Sequence, residues 1–274
     1  MTEPVKKVFI DSRYRDSGSD SDFKITLPYC LNFTDNTKMY IDNIIIPNSI
    51  KTINNTNNKL YISLFYESST YDLILQLTNN IYNADSFVSE LQAKLNTLLT
   101  PYPNITITAA YNFVNNIITL TMVDNTVSNN STFTFISKYD LEHGLSNFGT
   151  INNPLIFNSI IGVSDDSNSI LSEVSPYTGY LDLHNLRSIY ITSSSLANYD
   201  TSSNFNMSNI IKKIPVRAGY NEIIYDNISG IFDYVGLSKS TISSVDIQLR
   251  DTRNNILDLN NAHISFTLIF VNLE

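Results

Sequence analysis

The sequence has one cysteine, Cys30, no tryptophan, three histidines and eight glycines in 274 residues. A single cysteine excludes an intramolecular disulfide and a cysteine-based metal cage. The histidines, at 143, 184 and 263, are too few and too scattered to suggest a metal site. Charge is also scarce. Charged residues make up 16% of the chain, against ~25% in an ordinary soluble domain. With 17 Lys and Arg against 26 Asp and Glu, the net charge is −9, which argues against wrapping a nucleic-acid backbone. No run approaches the roughly 18–20 apolar residues of a membrane span; Ile44–Ile46 and Leu268–Val271 are the longest compact ones. The opening residues lack the apolar stretch of about 7–15 residues of a signal peptide, so cytosolic synthesis without secretion is expected.

Asparagine fills much of the gap left by charge, with 36 residues, or 13% of the chain. It tolerates positive φ and bonds its own backbone, so it can do turn work that glycine does elsewhere. Between the Asn-, Asp- and Ser-rich turns, apolar and polar residues alternate with the period of half-buried strands. Phe23, Ile25 and Leu27 share one face; Ile264, Phe266, Leu268 and Phe270 share another. Leu60–Tyr66, Ile105–Ala109, Ile118–Val123, Ser188–Thr192 and Val245–Leu249 follow the same rule. Around a dozen short strands with polar turns imply a sandwich or barrel.

One stretch departs from this period. From Asn83 to Leu99, Phe87, Leu91, Leu95 and Leu98 recur as on one helix face, with Asn83 as N-cap and Pro101 beyond the end. Strand-like segments and a short helical piece around Lys138–Leu145 follow. Together they predict a compact α+β unit over 73–174, left through a polar exit linker at Asp165–Ser175.

No residue pattern carries a specific enzymatic signal. There is no Gly-x-Ser-x-Gly elbow and no glycine-rich phosphate loop. Cys30, close to Pro28, is expected to be a buried packing residue. His184 and His263 suit structural hydrogen bonding. The acidic pairs Asp165-Asp166 and Asp20 with Asp22 suit solvated loops, because no second cluster can be placed opposite them. No catalytic residue, cofactor or metal is therefore expected. The densest charge lies in Ile10-Asp11-Ser12-Arg13-Tyr14-Arg15-Asp16, where composition alone favours a surface turn with local ion pairs.

The string IDSRYRDSGSDSDFKITLP, followed by NTKMYIDNIIIPNSI and NNKLYISLFY, resembles the opening of penton proteins. Virophages, polinton-like viruses and related large double-stranded DNA viruses encode these, and adenovirus penton base is a more distant likeness. The C-terminal strings LRSIYITSSSL, IIKKIPVRAGYNEIIYDN and VDIQLRDTRNNILDLNNAHISFTLIFV agree, with Asp251–Asn255 at the charged hairpin turn. The middle string YNADSFVSELQAKLNTLL resembles the helix often found between the two halves.

The resemblance implies an all-β fold, a single jelly-roll sandwich of eight strands in two sheets, with an inserted smaller α+β domain. The jelly roll would comprise 1–72 and 175–274, and the insert 73–174. It further implies a structural capsid protein, the homopentameric penton at the fivefold vertices of an icosahedral virion. Such a protein is made in the cytoplasm of the infected host cell. Its expected partners are its own copies, a double jelly-roll major capsid protein, and a host receptor or vertex fibre, without direct nucleic-acid binding or a membrane span. Asp11, Arg13, Arg15 and Asp16 become candidate inter-subunit or capsid contacts, the arginines able to form bidentate pairs with a neighbour. Two other readings share the strand pattern: a trimeric, fibre-head-like receptor- or glycan-binding module, and a β-sandwich glycan hydrolase needing facing carboxylates.

Overall fold

Alternation becomes strands throughout the chain, seen here in a computed structural model. It describes all residues except 1–4, 56, 129, 152–157, 185, 197–206, 228–229, 231–232, 238 and 273–274. The chain divides into two compact units, Met1–Ile50 with Leu186–Glu274, and Lys51–Asn185.

Eight strands make the body of the first unit. They are β1 (Lys6–Asp11), β3 (Asp22–Asn32), β4 (Thr37–Pro47), β12 (Ser188–Thr192), β13 (Ile210–Pro215), β14 (Ile223–Asp226), β16 (Thr241–Arg250) and β17 (Ser265–Asn272), numbered along the chain. They form two antiparallel sheets, in the orders β1-β17-β4-β14 and β13-β12-β16-β3. Two short strands, β2 (Ser17–Gly18) and β15 (Val235–Gly236), add to β3 and β4.

Counted among these eight, the first strand pairs with the eighth and the second with the seventh. The third pairs with the sixth and the fourth with the fifth. This is one antiparallel ribbon folded from the two ends of the chain. Rolling it until β17 meets β4 and β12 meets β16 gives a jelly roll, the expected fold. One apolar cluster lies inside, with Ile10, Met39, Ile41, Leu268 and Phe270 from one sheet and Phe23, Ile189, Ile191, Val245 and Ile247 from the other.

Asparagine does set much of the backbone. Among the described residues, nine non-glycine residues have positive φ, and seven of them are Asn. Asn43, at φ 51°, bulges β4 against β17, and the buried set shifts from Met39 and Ile41 to Ile44 and Ile46.

The second unit holds two sheets of its own. β5 (Lys59–Tyr66), β6 (Ser69–Gln76), β9 (Thr132–Phe135) and β10 (Ser169–Ser172) run in the order β10-β9-β5-β6. β7 (Ile105–Asn112), β8 (Ile117–Asp124) and β11 (Tyr177–Tyr180) run in the order β11-β8-β7. The long helix α1 (Ala84–Leu98) buries Phe87, Leu91 and Leu95, as the period predicts. Asn83 caps it in a reciprocal pair with Ser86, their two backbone N–H groups each meeting the other's side chain at 3.0 and 2.8 Å. The predicted second helix shortens to α2 (Lys138–Glu142), and a further turn, α3 (Asn158–Ile161), follows.

The expected boundaries are corrected. A cut at 72/73 would divide β6, and β5 pairs with both β6 and β9 inside the second unit. The stretch Asp165–Ser175 is no linker, because it contains β10, which pairs with β9. The unit begins at 51 and ends at 185, in the connection between the third and fourth strands of the roll.

Glu67 and Ser68, which join β5 to β6, have φ of 47° and 66°. Two-residue hairpins of this hand favour Asn-Gly, because larger side chains strain against the backbone. Glu67→Asn with Ser68→Gly is expected to stabilise the protein by about 1–2 kcal/mol. An unchanged unfolding midpoint for the double variant would contradict this account of the turn.

Candidate functional site

The charged segment after β1 is a clasp built from main-chain acceptors and the carboxylates of Asp11, Asp16 and Asp20, of which Asp20 is buried. β1 ends at Asp11, which caps the single 3-10 turn Ser12–Tyr14, its Oδ1 accepting the Arg13 N–H at 2.9 Å. The same carboxylate receives Arg13 Nε at 3.0 Å and Nη2 at 2.5 Å. These bonds from Arg13 hold the Asp11 carboxyl below the usual carboxylate range.

Arg15 turns the opposite way. Its Nη1 donates to Ser12 O at 2.8 Å and Asp20 Oδ1 at 2.7 Å, and its Nε to Gly18 O at 3.2 Å. Asp16 receives the Thr26 amide on its carboxylate, which holds that carboxyl low as well. Its own N–H donates to Lys24 O at 2.9 Å. Gly18 closes the turn at φ 95°, where a Cβ would stand 2.1 Å from Asp22 O, so no other residue fits.

The clasp fastens to the far end of the chain. Ser12 is fully buried; its N–H donates to Ile264 O at 3.0 Å, and its Oγ accepts the Ile264 N–H at 3.0 Å. Asp20 Oδ1 also meets His263 Nδ1 at 2.9 Å. Ser21 Oγ donates to Leu257 O, and Ser21 O accepts the Leu249 N–H at 2.7 Å. All four residues predicted as contacts thus lie together, and both arginines are engaged within the chain. Phe9, Arg13 and Tyr14 are left outward, Phe9 79% and Tyr14 75% exposed. His263 acts as the structural hydrogen-bonder expected of it.

Two polar clusters carried no local signal in the sequence. Asp246 on β16 accepts Ser195 N–H at 2.8 Å on Oδ1, and Ser194 N–H at 3.0 Å and Oγ–H at 2.8 Å on Oδ2. Burial pushes its carboxyl up, but the Ser195 and Ser194 bonds outweigh that and hold it at about 2. A polar cleft of about 240 Å³ lies alongside, yet Arg250 spends its fork on Gln248 Oε1 and on Asn254. Lys212 on β13, its side chain 5% exposed, pairs with Asp233 at 2.8 Å and Asp226 at 3.3 Å. It ties the segment after β14 to the sheet, and removing a partner from so buried a cation costs up to ~3–5 kcal/mol.

Cys30 is exposed, against the expectation of burial. Thr26 pairs with Ser244 and Leu31 with Ile242, so four residues of β3, 27–30, stand opposite the single Ser243. Pro28 has no N–H for the ladder, and the bulge carries Tyr29 and Cys30 outward. Among the described residues, no group of three or more His, Cys, Asp and Glu side chains could hold a metal ion.

No family model matches the chain, and no curated protein matches it. Solved structures do. The crystal structure of the selenomethionine-labelled mavirus penton protein aligns over 99% of this chain and 100% of that one, with TM-score 0.51 and 12% identity. This chain has the fold of the mavirus penton protein. The 3.5 Å cryo-EM structure of the Sputnik virophage aligns over 98% of this chain and 97% of that one, with TM-score 0.47 and 13% identity. At such identity the likeness is one of fold. For the mavirus penton protein it runs end to end, so both the roll and the 51–185 unit fall within it.

The folded state keeps Asp11, Asp16 and Asp246 more acidic than the unfolded chain does. The stabilisation from all three is complete above the unfolded value of about 3.8 and is lost as pH falls through their lowered folded values, about 2 for Asp246. Asp246 supplies about 2 kcal/mol of it. Asp246→Asn is expected to lose that amount at neutral pH, with the gap to the parent closing between pH 4 and 2. A gap independent of pH would show that packing, and not the carboxylate, holds the Ser193–Ser195 turn.

Proposed function

We propose that this protein is the penton of an icosahedral double-stranded DNA virus, a structural component that assembles as a homopentamer at the capsid vertex. The observation that carries the reading is the end-to-end sharing of a fold with a penton protein, the inserted unit included. The motif strings at both ends of the chain support it independently. Charge fits the same role: at −9, the chain suits a shell component better than a genome-binding one.

In this reading the neighbours are copies of the chain and a double jelly-roll major capsid protein. The 51–185 unit is the part offered to a vertex fibre or a host receptor. A ring of identical subunits is heterologous, one flank of each meeting the other flank of the next. The clasp supplies one such contact. Asp11, Arg15 and Asp16 hold its shape, while Arg13 and Tyr14, exposed beside each other, meet the neighbour. Tyrosine and arginine are among the residues enriched at the energetic centres of interfaces.

Native mass spectrometry across a concentration series tests the reading. The expected species has five times the 30.9 kDa of one chain. Arg13→Ala with Tyr14→Ala is expected to lower its population at equal concentration while the chain still unfolds cooperatively, having lost only the exposed Arg13–Asp11 pair. A trimer for the parent protein would favour the fibre-head alternative and contradict the vertex reading. A pentamer insensitive to the double variant would confine the clasp to holding its own chain together.

A further inference from the structure

The vertex reading offers the 51–185 unit to a fibre or receptor but assigns no contact to the tip of its β7–β8 hairpin. The two strands pair without a break from Ile105 opposite Asp124 to Asn112 opposite Ile117. The turn beyond carries Phe113 and Val114, 83% and 81% exposed. It is braced from below. Val114 N–H donates to Asn112 Oδ1 at 2.9 Å, Tyr111 Oη to Asn116 Oδ1 at 2.7 Å, and Asn116 Nδ2 to Leu181 O at 2.9 Å. No residue from Ile105 to Val123 is charged. At the last rung before the turn, exposed Tyr180 of β11 lies opposite Ile117.

We propose that this tip inserts into the surface of a zwitterionic lipid bilayer. Phe113 and Val114 enter the acyl boundary, and Tyr180 lies at the level of the headgroups. Area favours lipid over a protein partner. Two side chains offer roughly 300 Å², against about 1,000 Å² or more for a specific protein interface. A convex apolar tip needs a matching pocket on a protein, whereas a bilayer deforms around it. The end of the hairpin around the turn has no charge to desolvate on entry, and the net charge of −9 turns the chain away from anionic headgroups. Tyrosine, apolar in body and polar at its end, suits the boundary behind the tip.

The absence of tryptophan makes the test direct. Phe113→Trp places the only indole of the full chain at the tip, and its emission is followed while phosphatidylcholine vesicles are added. A blue shift, with quenching when the acyl chains carry bromine, is expected. Val114→Asp in that background is expected to weaken partitioning about tenfold or more. Tyr220→Trp, at an exposed site of the other unit, is expected to respond to neither lipid. No shift for Phe113→Trp at millimolar lipid, or an equal response from Tyr220→Trp, would overturn the proposal. A blue shift without vesicles that grows with protein concentration would assign the tip to a second copy of the chain and overturn it too.

Discussion

The jelly roll depends on the pairing of the two ends of the chain. β1 and β17 pair over six rungs, from Lys6 opposite Phe270 to Asp11 opposite Ser265. In the ribbon this is the outermost pair, and the other three lie inside it. Ser12 then locks it through a reciprocal pair of hydrogen bonds with Ile264, 252 residues away in sequence. Bringing such distant segments together costs loop-closure entropy before any contact compensates, although that cost grows only slowly with length. The same slow growth lets the connection between β4 and β12 hold a whole second unit. The second unit, 51–185, leaves the roll after β4 and rejoins it before β12.

Scarcity of charge shapes the rest. Several carboxylates of the roll are engaged by main-chain and hydroxyl donors or by a shared cation. Asp16 takes the Thr26 amide, Asp246 takes the Ser194 and Ser195 amides, and Asp226 and Asp233 share Lys212. Each capture ties a loop to a strand, so few charged residues fix a large share of the loop geometry. Exposed turn work falls to asparagine, which supplies left-handed backbone and hydrogen bonds within one side chain.

Legibility followed the range of the physics. Helix α1 was readable because its period, its cap and its stop are all local. The inner face of β17 was readable because Ile264, Phe266, Leu268 and Phe270 keep the period, although Ile269 and Val271 make the other face apolar too. The boundary of the second unit was not, since β5 and β6 alternate with the same period as the strands of the roll. Period two says that a strand is half-buried and does not say in which sheet. The exposure of Cys30 is hidden for a related reason: the bulge at 27–30 is a mismatch between β3 and a strand more than 200 residues later. The charges of Asp11–Asp16 stood out against a charge-poor chain, but their tie to Ile264 and His263 is non-local. Asp246 and Lys212 gave no sign at all, being ordinary residues in strand-like strings until the fold supplies their partners.

The central claim is that the roll is a single cooperative body closed by the chain ends and independent of the unit it carries. Replacing 51–185 by a short Gly/Ser linker and following thermal unfolding together with solution mass tests it most directly. The account predicts one cooperative transition and the oligomeric state of the parent. Aggregation, or a gradual loss of structure without a transition, would mean that the second unit completes the core of the first, and would contradict it.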